Sequence, residues 1–221
     1  MTIGLIILDC DGVIADSEVL SATVLIDQLA ALGIAMTPEE VRRDFLGRSF
    51  PTVAGTIRQR FGIPLPPSFE SDYRSRLLDR FTADLRPTPG VLAVLDRLPL
   101  PACIATSSSP QRVGRTLQVL GLSGRFPVFT ASQVPRGKPA PDLFLFAADR
   151  MGFAPVEALV VEDSAPGIAA AQAAGMAVLH YTGGAHLRGQ ALPPGADTPR
   201  FDNWDDFPHL LAGLMQGAPI P

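Results

Sequence analysis

Lysine is nearly absent from this 221-residue chain. Its 18 cationic side chains are 17 arginines and the single Lys138. The bland account is a bias toward arginine. Under such a bias a remaining lysine can mark a place where a planar guanidinium does not replace a compact ammonium. Cysteine is scarce: Cys10 and Cys103 lie far apart, with no CxxC spacing. That excludes a disulfide scaffold and a cysteine-based metal or redox motif. The three histidines, His180, His186 and His209, form no ligand cluster in sequence. No apolar run approaches the ~20 residues of a membrane helix. The stretch Ile3 to Leu8 stops at Asp9 and follows no basic region. Neither a signal peptide nor a membrane anchor is expected, and a cytoplasmic location is. There is no basic excess either, since the net charge is −4. A general nucleic-acid binder is therefore not expected.

What is present is core-forming material. Hydrophobic residues make up 47% and charged residues 18% of the chain, enough for one ordinary domain with a modest second module. Ile3–Leu8, Ala102–Ala105 and Ala158–Val161 are apolar without alternation, as parallel strands covered on both faces would be. Ala177–Leu179 is a fourth candidate. Helices are expected over 110–120, 141–151 and 164–174. Ser109 and Pro110 supply an N-cap and first position, and Gly175 a stop. The alternation predicts an α/β fold built on a Rossmann-like parallel sheet.

Residues 17–85 break the alternation and read as helices alone. Thr37-Pro38-Glu39-Glu40 has the capping-box pattern. Residues 50–61 and 69–82 are two further amphipathic segments. The expected organisation is an α/β core from 1–16 and 86–221, with a small helical module, 17–85, inserted after the first strand. Residues 182–200, rich in Gly and Pro, are expected to be loop. Trp204, beside Asp202, Asp205 and Asp206, is expected to be a packed helix start.

Each apolar run ends in polar residues: Asp9-Cys10-Asp11-Gly12, Thr106-Ser107-Ser108-Ser109 and Glu162-Asp163-Ser164. Open α/β sheets bind ligands at the carboxyl ends of their strands. Neighbouring strands would bring four carboxylates to one spot, where they repel unless a cation sits among them. Oxygen donors without a His or Cys cluster point to Mg²⁺ rather than Zn²⁺, and Mg²⁺ usually accompanies phosphate chemistry. The Ser107–Ser109 turn before Pro110 is a ready anion site, or merely a helix cap. Glu162-Asp163 is a metal pair, or merely an acidic pair favoured at a helix start. Cys10 is expected to point into the core.

These four stretches together resemble the haloacid dehalogenase superfamily, in its phosphatase-like and β-phosphoglucomutase-like branch with a helical cap. The resemblance rests on Leu8-Asp9-Cys10-Asp11-Gly12-Val13, Ala105-Thr106-Ser107-Ser108-Ser109-Pro110, Gly137-Lys138-Pro139 and Val161-Glu162-Asp163-Ser164, in the family's order. It implies that Asp9 is the nucleophile of an aspartyl-phosphate and Asp11 the acid and base. Ser107, or Thr106 in a register shifted by one, would contact the phosphoryl group together with Ser108. Lys138 would balance charge. Asp9, Asp11, Glu162 and Asp163 would hold Mg²⁺, Asp11 through its backbone carbonyl. Asp11 favours phosphoryl transfer over carbon–halogen cleavage. The β-phosphoglucomutases carry a cap-hinge histidine twelve residues after the nucleophile, where this chain has Ser21. That favours a phosphatase acting on a sugar or polyol phosphate, with a mutase as the alternative. Residues 17–85 would be the cap. Leu46-Gly47-Arg48-Ser49 resembles its site-facing stretch, with Arg48 a substrate contact. The expected ligand is a small phosphorylated metabolite, with no nucleic-acid or membrane partner, and a monomer is expected.

Overall fold

The computed structural model describes residues 2–45, 48–189 and 198–216. Leu46 and Gly47 of the cap stretch, and residues 190–197 of the expected loop, lie outside them. Six strands form one parallel sheet: β1 (Leu5–Leu8), β2 (Ala102–Thr106), β3 (Val128–Thr130), β4 (Ala158–Glu162), β5 (Ala177–Tyr181) and β6 (Arg200–Phe201). Their order is β3-β2-β1-β4-β5-β6. Numbering reverses beside β1, so that strand has β2 on one side and β4 on the other. Leu8 is in register with Ile104 and with Val161. The residues that follow β1, β2 and β4 therefore emerge together at one edge of the sheet.

Strand side chains alternate between two apolar layers. Ile6, Leu8, Ile104, Leu159 and Val161 enter one cluster; Leu5, Ile7, Cys103, Ala105 and Val160 enter the other. Because both faces are covered, these strands read as continuous apolar runs. The first layer is closed by α5 (Val91–Leu95), α6 (Pro110–Val119) and α9 (Phe207–Met215), the second by α7 (Asp142–Met151) and α8 (Ala165–Ala173). Ser109 caps α6 by accepting from the Arg112 N–H at 3.3 Å, and Ser164 caps α8 by accepting from the Gly167 N–H at 3.2 Å.

Between β1 and β2 come α1 (Glu18–Ala30), α2 (Pro38–Phe45), α3 (Phe50–Phe61) and α4 (Phe69–Asp84). They bury Leu25, Leu29, Phe45, Ile57, Leu77 and Phe81 in a third apolar cluster. The capping box forms as the sequence predicts. The Glu40 N–H donates to Thr37 Oγ1, and the Thr37 N–H to Glu40 Oε2. The chain leaves the sheet and returns side by side, with Ala15 bridged to Pro87 and the Asp16 N–H donating to the Arg86 carbonyl at 2.9 Å. Thr88 fastens this crossing. Its hydroxyl donates to the Val13 carbonyl and accepts from Trp204 Nε1 at 3.1 Å. Trp204 is fully buried at the turn that starts α9, as the sequence suggests.

Three elements were not legible beforehand. β3 and β6 are three and two residues long, too short to show a period. β6 begins at Arg200, the last residue of the stretch expected to be loop, and runs into Phe201. α5 has five residues with no polar face to reveal it. Among the described residues no helix is long and apolar enough to cross a membrane.

Truncating the central strand should be costly. Ile7 is fully buried in the second layer, so Ile7→Ala should lower unfolding free energy by about 2–5 kcal/mol. Val156, 56% exposed, should tolerate alanine within about 0.5 kcal/mol. Denaturant midpoints measure both, and equal losses would contradict this layering.

Candidate active site

Asp9 follows the last residue of β1 and is fixed there by its N–H, which donates to the Val161 carbonyl at 3.0 Å. Lys138 arrives from the loop before α7 and reaches under the strand ends. Its ammonium donates to Asp9 Oδ1 at 2.6 Å, to Glu162 Oε1 at 2.6 Å and to the Ala105 carbonyl at 3.1 Å. It also stands 4.8 Å from the Phe144 ring centroid. Three acceptors satisfy three donors, which is what a buried ammonium requires. Burial opposes the Lys138 charge, yet the two carboxylates outweigh it and hold its pKa above the ordinary lysine value.

The second oxygen of Glu162 accepts from the N–H groups of Asp163 and Ser164 and from the Ser164 hydroxyl, each at 2.9 Å. Burial raises its pKa, but Lys138 and Ser164 overcome that and keep it below the usual glutamate range. Asp9 and Asp163 differ. Burial pushes both carboxyls well above the ordinary range, Lys138 offsets only part of that, and neighbouring carboxylates add to it. Asp163 Oδ2 is buried without a hydrogen-bond partner. His186 Nε2 lies 2.9 Å from it, but outside hydrogen-bonding geometry.

Two glycines permit this closeness. A Cβ on Gly12, whose φ is +81°, would stand 1.8 Å from Asp163 Oδ2. A Cβ on Gly167, in the first turn of α8, would stand 1.8 Å from Glu162 Oε1.

Asp9, Glu162 and Asp163 can each offer an oxygen within 4.8 Å of the others. One ammonium among three carboxylates leaves charge that a divalent cation would match. The unpartnered Asp163 oxygen and the all-oxygen donor set fit such an ion. The Asp11 side chain is outside this group. Its Oδ1 accepts from the Ser17 hydroxyl and from Arg112 Nη2, both at 2.6 Å; its Oδ2 accepts from Ser108 Oγ at 2.5 Å and lies 3.5 Å from Thr106 Oγ1. Burial raises the Asp11 pKa, but Arg112, Ser108 and Ser17 outweigh it and leave the carboxyl below its ordinary value.

Of the β2-end hydroxyls, those of Thr106 and Ser108 face Asp11. Ser107 lines the adjoining cavity instead, without a hydrogen bond to Asp9 or Asp11. The cavity has a volume of about 510 Å³ and lies between the strand ends and the inserted helices. Asp9, Asp11, Lys138, Glu162 and Asp163 line its base; Leu25, Phe45, Phe50, Leu77 and Arg48 line the helical side. Arg48 is exposed and also borders a surface notch with Asp44 and Arg60. Cys10 is buried in the first apolar layer, away from this chemistry. His180, near the end of β5, donates from Nε2 to the Asp163 carbonyl at 3.2 Å.

Sequence reasoning passed over Arg112 and His186. A signal existed for Arg112. A cation in the first turn of a helix opposes the helix dipole and therefore needs partners elsewhere. His186 carries no such signal, because a turn after β5 brings it to Asp163.

A family model described as haloacid dehalogenase-like hydrolase matches residues 3–175. The chain is 27% identical over 181 residues to 6-phosphogluconate phosphatase of Escherichia coli, covering 80% of this chain and 82% of that one. It is 32% identical over 185 residues to a probable pseudouridine-5'-phosphatase of Drosophila melanogaster, covering 78% and 79%. A solved haloacid dehalogenase-like protein of unknown function from Agrobacterium tumefaciens superposes with a TM-score of 0.79 at 33% identity, covering 96% and 99%.

The Lys138 side chain is 1% exposed. In the folded protein an amine-selective acylating reagent should modify the α-amino group and spare Lys138; after unfolding, both should react. Peptide mapping that finds Lys138 labelled at the same rate in the folded protein would contradict this burial.

Proposed function

From the premise that this chain belongs to the haloacid dehalogenase-like hydrolases, we propose that it is a Mg²⁺-dependent phosphatase. It hydrolyses a small phosphorylated metabolite, a sugar or polyol phosphate, through a phosphorylated Asp9. The observation that carries this is Asp9, held on one oxygen by Lys138, beside an unpartnered Asp163 oxygen at the base of the cavity under the inserted helices. The named phosphatase relatives support the substrate class.

Lys138 fixes Asp9 Oδ1 and leaves the other carboxylate oxygen to attack phosphorus. The phosphorus–ester oxygen bond breaks as the aspartyl-phosphate bond forms. Asp11 gives the departing alkoxide a proton, then takes one from the water that attacks the intermediate, releasing inorganic phosphate. The approaching phosphate dianion opposes a second negative charge and so favours the protonated Asp11 that this step needs. Ser107, or Thr106 in the alternative register, receives the phosphoryl oxygens together with Ser108 and the amides at the start of α6. Asp9, Glu162 and Asp163 would hold Mg²⁺, which when bound offsets the charge of carboxylates and phosphoryl oxygens together. The inserted helices act as a cap that shields the site from water, and Arg48 borders the substrate. Ser21 favours hydrolysis over the mutase alternative. Its hydroxyl donates to the Ser17 carbonyl and accepts from Arg112, so no imidazole stands where the mutases carry one.

Phosphate release from sugar and polyol phosphates should vanish with EDTA and return with Mg²⁺, and Mg²⁺ should raise the melting temperature. Undiminished turnover in EDTA sinks the metal assignment. Asp9→Asn should abolish phosphorylation of the protein by acetyl phosphate. Asp11→Asn should keep that phosphorylation yet lose roughly 10²–10⁴-fold with a sugar phosphate. Equal labelling of both variants would show that the two roles are misassigned.

A further inference from the structure

Arg112 sits at the third position of α6, where the helix dipole disfavours a cation. One nitrogen makes all its polar side-chain contacts. Nη2 lies 2.6 Å from Asp11 Oδ1, 2.9 Å from Ser21 Oγ and 3.5 Å from Glu18 Oε1. The guanidinium also stands 5.3 Å from the Phe81 ring centroid. α6 belongs to the sheet layers. Glu18 and Ser21 belong to α1, and Phe81 to α4. A single planar group thus joins the inserted helices to the second aspartate of the site. Ser17, just before α1, holds the same Asp11 oxygen. Asp11 therefore receives half of its donors from, or through, the inserted helices and half from the end of β2.

We propose that Arg112 is a positioning residue that couples the inserted helices to Asp11, so that the carboxyl is aimed at the leaving oxygen only when those helices are seated over the site. This rests on the assignment of Asp11 as acid and base. The coupling is local and needs no substrate contact by Arg112. Losing it lets the Asp11 carboxyl rotate at the seam between the two layers, and small misplacements of a proton donor are expensive. The cost falls on substrates whose leaving oxygen needs a proton. It spares the phosphorylation step of those that leave as stable anions, whereas hydrolysis of the aspartyl-phosphate, for which Asp11 is the base, is slowed whatever the leaving group.

The test compares p-nitrophenyl phosphate with sorbitol 6-phosphate or 6-phosphogluconate, whichever of the two turns over faster. In Arg112→Ala, kcat for the alkyl phosphate should fall by at least roughly 10-fold with KM within about threefold. In the first turnover, before the intermediate hydrolyses, p-nitrophenolate release should change by less than about threefold, because that leaving group needs little protonation, while alcohol release from the alkyl phosphate should fall by at least roughly 10-fold. Guanidinium chloride in the millimolar range should restore part of the first-turnover alkyl-phosphate rate and leave first-turnover p-nitrophenolate release unchanged. Ser21→Ala, which keeps Arg112 but removes its α1 anchor, should show the same selective loss to a smaller extent and guards against a misfolded Arg112→Ala. Equal first-turnover losses on both substrates, or a raised KM with kcat unchanged, would overturn the proposal in favour of a structural or substrate-binding role. Asp11→Asn is the control. If its first-turnover rates fail to discriminate the two substrates, the assignment of Asp11 falls; if they discriminate and those of neither Arg112→Ala nor Ser21→Ala do, only the role of Arg112 falls.

Discussion

The ammonium of Lys138 is shared by Asp9 and Glu162 at the adjoining ends of β1 and β4, 2.6 Å from each. All three groups are buried, and removing a charge from water is costly unless partners replace the water. The surrounding structure supplies those partners. The Ala105 carbonyl at β2 takes the third ammonium donor, and the start of α8 supplies N–H and hydroxyl donors to Glu162. Gly12 and Gly167 keep side chains out of the space that the Glu162 and Asp163 carboxylates occupy. With Lys138 removed, two carboxylates would face each other in a dry site, each losing its nearest positive charge.

That arrangement satisfies Glu162 and half of Asp9, but it leaves Asp163 short of a partner. The imbalance separates the carboxylates into kinds. Glu162 and Asp11 stay below the ordinary range because each has a cation and several donors. Asp9 and Asp163 are driven above it because burial and like charge prevail. A set of four acidic groups thereby divides into two that are internally satisfied and two whose charge the surrounding donors do not balance.

The inserted helices and the sheet bury their apolar side chains in separate clusters. Polar contacts cross between them at the seam. Arg112 and Ser17 bind Asp11 there, and Ala185, after β5, donates to Asp16. Asp11 sits where the two layers meet, while Asp9 sits on the sheet. Chemistry that needs Asp11 is thus sensitive to the position of the helices; chemistry at Asp9 is anchored by the strands.

Strands covered on both faces had to be apolar throughout. Ile3–Leu8, Ala102–Ala105 and Ala158–Val161 were therefore legible, as were the carboxylates and hydroxyls that end them. Helix caps were legible at Thr37 and Ser109, because capping is a local contest for the first N–H groups. Lys138 stood out as the only lysine and lay within a recognisable motif. Tertiary structure alone settled which β2-end hydroxyls face Asp11. Adjacent Thr and Ser residues share one sequence pattern, and only the register of β2 against β1 aims Thr106 and Ser108 at the carboxylate. It alone brought Arg112 to Asp11 across about a hundred residues and His186 to Asp163. Local patterns record what a residue needs from its neighbours in the chain. They do not record which distant group will stand beside it once α6 packs against α1 and α4, and that encounter decides how Asp11 is held.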